Sequence, residues 1–194
     1  MDSGRFIDNL VVHNMGGSGV VELQQVVSRK THTGADTFDV PLPLTGAVGI
    51  EPRTGGANGD HTLVFTFNNP VTSVSGVSVT SGNGSVSSSF VGANPQEYYV
   101  NLTGVTNAQV ITVTLTGVNA VCANSPVSVS VPMGVLLGDV NQTGVVDGND
   151  VSAVQATTRQ RATSTNFRTD VNTTGSIDGN DVSIVQGKTR TRLP

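Results

Sequence analysis

The hydrophobic positions of this chain follow one period for most of its length and another at its C-terminal end. Up to Val131 apolar and polar residues alternate over short runs, the pattern of half-buried strands. Leu63, Phe65 and Phe67 alternate within 62–67, and Ile111, Val113 and Leu115 within 109–115. Val74, Val77 and Val79 line a strand predicted over 74–80, with Gly76 expected to mark a bulge. Further strands are predicted over 20–27, 85–91, 96–102 and 127–131, with a short one at 49–51. Residues 38–42 alternate too, but their prolines confine them to an edge or irregular strand. The polar stretch 28–37 and the glycine-rich 54–60 read as loops, and Gly82-Asn83-Gly84 as a tight turn. Of Tyr98 and Tyr99 one must face inward and the other outward. At the start, 6–12 reads as a strand, either the stump of an upstream domain or an added edge; 13–19 reads as a linker.

Beyond Leu136 the spacing changes. Val151 and Val154, and again Val182 and Val185, stand three apart, as on a short helix facing a core. No amphipathic stretch precedes them, because 135–138 and 167–169 are too short. Each pair follows the same twelve-residue pattern, D-x-N-x-T-G-x-x-D-G-N-D. A hard cation such as calcium takes six to eight oxygen ligands, and loops of this type supply them from positions 1, 3, 5, 7, 9 and 12 around a glycine at position 6. The first copy offers Asp139, Asn141, Thr143, the Val145 carbonyl, Asp147 and Asp150. The second offers Asp170, Asn172, Thr174, the Ser176 carbonyl, Asp178 and Asp181. Asp, Asn and Gly favour turns in any case. Two matches in register at a fixed spacing are a far stronger sign than one. The expected cofactors are therefore two Ca2+. The loops crowd together acidic side chains that repel without metal, and the helices after them are short and rich in Ser and Thr, so metal binding and folding should be linked.

A duplicated loop with a following helix, Asp at position 12 and a period of about thirty residues resembles the type I dockerin domain, over roughly residues 136–193. The resemblance implies attachment to a cohesin-like protein. The family's recognition positions fall on Gly148, Asn149, Gln155 and Ala156 in one copy and on Gly179, Asn180, Gln186 and Gly187 in the other. Val146 and Ile177, at loop position 8, are expected to join the loops through a small β-bridge. The stretch 28–131 resembles bacterial immunoglobulin-like modules of secreted, multi-modular proteins. The expected fold class is mainly β with a small α C-terminal domain: an immunoglobulin-like β-sandwich plus a dockerin-like pair of calcium loop-helix motifs. The expected domains are 1–19 (remnant strand and linker), 20–134 (sandwich) and 135–194 (calcium-binding unit).

Composition narrows the function. Ten Lys and Arg against 14 Asp and Glu leave a net charge of −4, which excludes a nucleic-acid partner. No apolar run is long enough to span a membrane, and no signal-peptide pattern appears. The chain reads as the C-terminal piece of a larger secreted protein, extracellular or at the cell surface, where calcium levels fill such sites. Cys122 is the single cysteine, so no internal disulfide forms; between Val121 and Ala123 it is expected to be buried. His13, His32 and His61 lack a second ligand at metal spacing and read as exposed loop residues. Glu51 and Glu97 have nothing to set them across a cleft as glycosidase carboxylates. With no Trp and one outward Tyr, a sugar-stacking platform is poor. The reading is a non-catalytic attachment module with the sandwich as spacer. The alternatives are a calcium-stabilised structural module packed on the sandwich with no partner in trans, and a carbohydrate-binding module.

Overall fold

A computed structural model of the chain describes residues 19–194; the strand predicted over 6–12 and the linker up to residue 18 lie outside them. The strands are β1 (Leu23–Thr31), β2 (Thr37–Pro41), β3 (Ile50–Glu51), β4 (His61–Phe67), β5 (Val71–Ser73), β6 (Gly76–Ser81), β7 (Ser85–Val91), β8 (Glu97–Thr103), β9 (Gln109–Ala120) and β10 (Val127–Val135). The C-terminal part adds helix α1 (Gly148–Thr157), the short strands β11 (Gln160–Arg161) and β12 (Ser176–Ile177), and helix α2 (Gly179–Lys188). The fold is mainly β. One five-stranded sheet runs β2-β1-β4-β8-β7; the other runs β3-β10-β9-β5, with β6 also on β9.

Alternation builds the core between the sheets. Leu63, Phe65 and Phe67 of β4, Val100 and Leu102 of β8, and Ile111, Val113 and Leu115 of β9 are fully buried in one cluster. Tyr98 joins them, and Tyr99 points out. The prolines hold β2 at the sheet edge, as expected.

Four local readings change. First, β1 runs on to Thr31, so the predicted loop 28–37 shrinks to residues 32–36. The polar stretch stays extended because its backbone pairs with β2 on one side and β4 on the other; pairing overrides weak strand propensity. Second, the strand expected over 74–80 is β6, which starts only at Gly76 and follows a separate short strand, β5, at Val71–Ser73; its register shift lies between Val79 and Ser81. Gly76 pairs regularly with Thr116, and a Cβ there would come within 2.9 Å of the Thr116 hydroxyl. Third, Cys122 is exposed, in a turn after β9 and in a left-handed conformation (φ 62°). Fourth, the strand expected over 127–131 runs on through Pro132 and Gly134 to Val135 as β10.

The end of β10 seats the C-terminal part. Gly134 and Val135 pair in parallel with Ile50 and Glu51 of β3. Ile50 packs into a second buried cluster with Leu136, Val140, Val146, Val154, Val171, Ile177 and Val185. Phe38 and Val40 of β2 form a third with Ala162 and Phe167. The valines expected to face a core do so: Val154 and Val185 are fully buried, and Val151 and Val182 are partly buried against them.

Candidate metal centre

Each twelve-residue loop folds around its first and last carboxylates. Asp139 accepts hydrogen bonds from the backbone amides of Thr143 (3.0 Å) and Gly144 (2.8 Å), and Asp150 from those of Asn141 (3.2 Å) and Asp147 (2.9 Å). In the second loop Asp170 accepts from Thr174 (3.1 Å) and Gly175 (2.7 Å), and Asp181 from Asn172 (3.2 Å) and Asp178 (2.9 Å). Gly144 and Gly175 make the sharp turn at φ 82° and 84°, a left-handed conformation that favours glycine. The Thr143 and Thr174 hydroxyls donate to the carbonyls of Val145 and Ser176 (both 3.1 Å), so positions 5 and 7 lie side by side.

All four carboxylates at positions 1 and 12 are fully buried. Burial pushes the Asp139 carboxyl above its usual range and the charge of Asp150 adds to it, while the Gly144 and Thr143 amides pull it down. Burial likewise raises Asp181, with the charges of Asp170 and Asp178 adding. In each loop two carboxylates are thus held close enough, and dry enough, for one to raise the other.

Among the described residues, no three acidic, imidazole or thiol side chains converge as a group that could hold a metal. The third carboxylate of each loop is otherwise engaged. Asp147 and Asp178 cap α1 and α2, accepting from the amides of Asn149 and Asn180 (both 2.7 Å) in a capping box closed by Asp150 and Asp181. The direct anionic donors are thus two per loop. The Asn amide, the Thr hydroxyl and the position-7 carbonyl complete an oxygen set, and a position-9 carboxylate often acts through water. That set suits a hard cation and gives a soft one no sulfur or nitrogen ligand.

The loops do not bridge each other through Val146 and Ile177. Both are fully buried in the shared cluster, but each pairs with a segment outside the two loops. The Val146 amide donates to the Thr191 carbonyl and its carbonyl accepts from Arg190 (both 2.9 Å); Val145 bridges Arg192. Ile177 and Ser176 pair with Gln160 and Arg161. Each loop is therefore strapped by the segment that follows the other loop's helix. These straps satisfy backbone groups in both loops, which is why they displace a direct bridge. Gly148, Asn149, Gln155 and Ala156, and Gly179, Asn180, Gln186 and Gly187, occupy matching exposed positions on α1 and α2.

Sequence reasoning missed the contact between the second loop and the sandwich. His32 and His61 are buried, not exposed. Nδ1 of His32 lies 2.7 Å from Oδ2 of Asp170, and its Nε2 lies 3.2 Å from Nη1 of Arg53. Arg53 grips Glu51 through Nε and Nη2 (both 2.7 Å) and donates to the Phe38 and Ser28 carbonyls (both 2.9 Å). Phe167 stacks on Phe38 at 5.2 Å and lies under the Arg53 guanidinium at 5.3 Å. Burial would push Glu51 up, but the Arg53 charge and hydrogen bonds outweigh it and hold the carboxyl at about 2. Burial and the Lys30 charge hold His61 at about 3. The one available signal was the i, i+2 spacing of Glu51 and Arg53, which puts both on one side of an extended strand.

Glu51 and Glu97 lie in separate networks. Glu97 accepts from the Tyr99 hydroxyl (2.9 Å) on the outer face of the first sheet, where Arg29 also reaches it. Phe90 stacks on Tyr99 there at 5.4 Å, a neighbour on the next strand that the sequence did not reveal. No family model matches the chain, and no curated protein or solved structure matches it either.

Proposed function

We propose that the C-terminal part is a calcium-binding, dockerin-like attachment module on an immunoglobulin-like sandwich that acts as spacer. The whole serves as a non-catalytic piece of a secreted multi-modular protein. The observation that carries the reading is the repetition of one hydrogen-bond scheme in two loops, each burying a facing carboxylate pair inside an oxygen set of the calcium type. Calcium is the chemical match, since it neutralises the pair and accepts the mixed amide, hydroxyl and carbonyl donors. The exposed sets on α1 and α2 repeat residue for residue at the first two positions, Gly148-Asn149 and Gly179-Asn180. Such a surface suits a cohesin-like partner that docks in either of two orientations.

A second reading, a structural module with no partner in trans, is favoured by the seat of the second loop on the sandwich through His32 and Phe167. Calcium titration by calorimetry, with thermal melts in EDTA and in calcium, tests what both readings share. Binding at two sites with a raised Tm is expected, and Asp150→Ala or Asp181→Ala should lower affinity and the calcium-dependent rise in Tm together. An unchanged Tm rise in both variants rejects the linkage. Capture of a panel of cohesin modules in calcium but not in EDTA then separates attachment from a purely structural role.

A further inference from the structure

The two loops carry the same ligand types at the same positions but sit in different surroundings. The side-chain hydrogen bonds to Asp139 come from its own loop, whereas Asp170 also meets His32 of the sandwich. The tautomer of His32 is fixed by its other neighbour. A guanidinium can only donate, so Nε2 must accept from Arg53 and the ring hydrogen sits on Nδ1, pointing at Asp170. Arg53 is itself held by Glu51, which accepts a further hydrogen bond from the Ser28 hydroxyl (2.5 Å). A chain of four buried side chains from the sandwich thus ends on one oxygen of the second loop's position-1 carboxylate.

The backbone is held at the same place. The Thr33 amide donates to the Thr173 carbonyl (2.9 Å), and the Thr54 amide to the Val171 carbonyl (2.7 Å). The position-6 glycines report the same asymmetry. A Cβ on Gly144 would meet nothing within 4 Å, whereas on Gly175 it would collide with the Thr33 carbonyl oxygen.

We propose that the sandwich supplies the outer shell of the second loop, so that cation binding there and the seating of that loop on the sandwich form one linked equilibrium, while the first loop binds independently. This rests on the calcium reading above. His32 is a positioning residue: it orients the carboxylate without itself being a ligand, and groups of this kind change metal affinity about 10–100-fold when removed. Linkage is reciprocal, so calcium must also tighten the contact.

The test is calorimetric calcium titration of the full chain and of His32→Asn. Alongside it, hydrogen exchange at the Thr33 and Thr54 amides is followed with and without calcium in Asp139→Ala and Asp170→Ala. In His32→Asn one of the two sites is expected to weaken about 10–100-fold while the other keeps its affinity. Calcium should slow exchange at Thr33 and Thr54 in Asp139→Ala and leave it unchanged in Asp170→Ala. Equal weakening of both sites, no weakening, or protection that ignores calcium in both aspartate variants overturns the linkage and leaves the calcium module standing. No calcium binding by the unaltered chain overturns both. The exchange measurement does not depend on His32→Asn folding correctly.

Discussion

The outer face of the first sheet and the seam beneath the second loop each hold an arginine that grips a carboxylate with two hydrogen bonds. On the outer face Arg29 binds Asp39 at 2.9 and 2.8 Å, with side chains 27% and 34% exposed. In the seam Arg53 binds Glu51 twice at 2.7 Å, with both side chains 0% exposed. The chemistry is the same and the surroundings are not. Water screens the first pair and would solvate either partner left behind; the second has no such relief. Burial, rather than the presence of an ion pair, decides how much of the fold depends on it.

Removing one partner should expose that difference most clearly. Arg53→Ala leaves Glu51 buried without its cation and also strips donors from the Phe38 and Ser28 carbonyls. A loss of about 4 kcal/mol in urea unfolding is expected; a loss below about 1 kcal/mol would put the seam on a par with a surface pair.

Acid tests the same pair from the other side. The folded-state pKa of Glu51, about 2, lies below its ordinary 4.5. Its contribution is therefore complete above about pH 4.5 and lost as pH falls towards 2. The loss amounts to about 3 kcal/mol, and Glu51→Gln should flatten that part of the stability profile. His61, held near 3 against an ordinary 6.5, starts a separate loss below about pH 6.5, which His61→Gln should remove. A profile with the same slope in the parent chain and Glu51→Gln between pH 4.5 and 2 would rule out the assignment. The smallest effect belongs to the outer face: Arg29→Ala should cost about 0.5 kcal/mol, less in high salt. A salt-insensitive loss of several kcal/mol would erase the contrast.

The two loops were legible in the sequence because their geometry is local. The inward carboxylates at positions 1 and 12 and the turn glycine all fall within twelve consecutive residues, and nothing distant is needed to recognise them. The strands of the core were legible for a related reason, since Leu63, Phe65 and Phe67 declare their face by alternation alone. The seam was not. Ser28, His32 and Arg53 each sit in a stretch that looks like polar surface, and only folding brings them to Glu51 and Asp170 out of water. The straps on the loops stayed hidden for the same reason: the segments 159–162 and 190–193 carry no period of their own. Exchanging position 8 of one loop for the tail beyond the other's helix is a choice of topology, which local spacing does not record.

That exchange bears on ancestry. A single loop-and-helix unit would have a loop with no strand to close it and a tail with no loop to hold. Two separate copies could satisfy each other as a symmetric dimer, each lending its tail to the other. In this chain Arg190–Arg192 close the first loop and Gln160–Arg161 close the second, so the same bargain is struck within one molecule. The repeat is then a covalently joined dimer rather than a spare copy. Each half contributes the strand that closes its twin's loop, and keeps its own set of carboxylates.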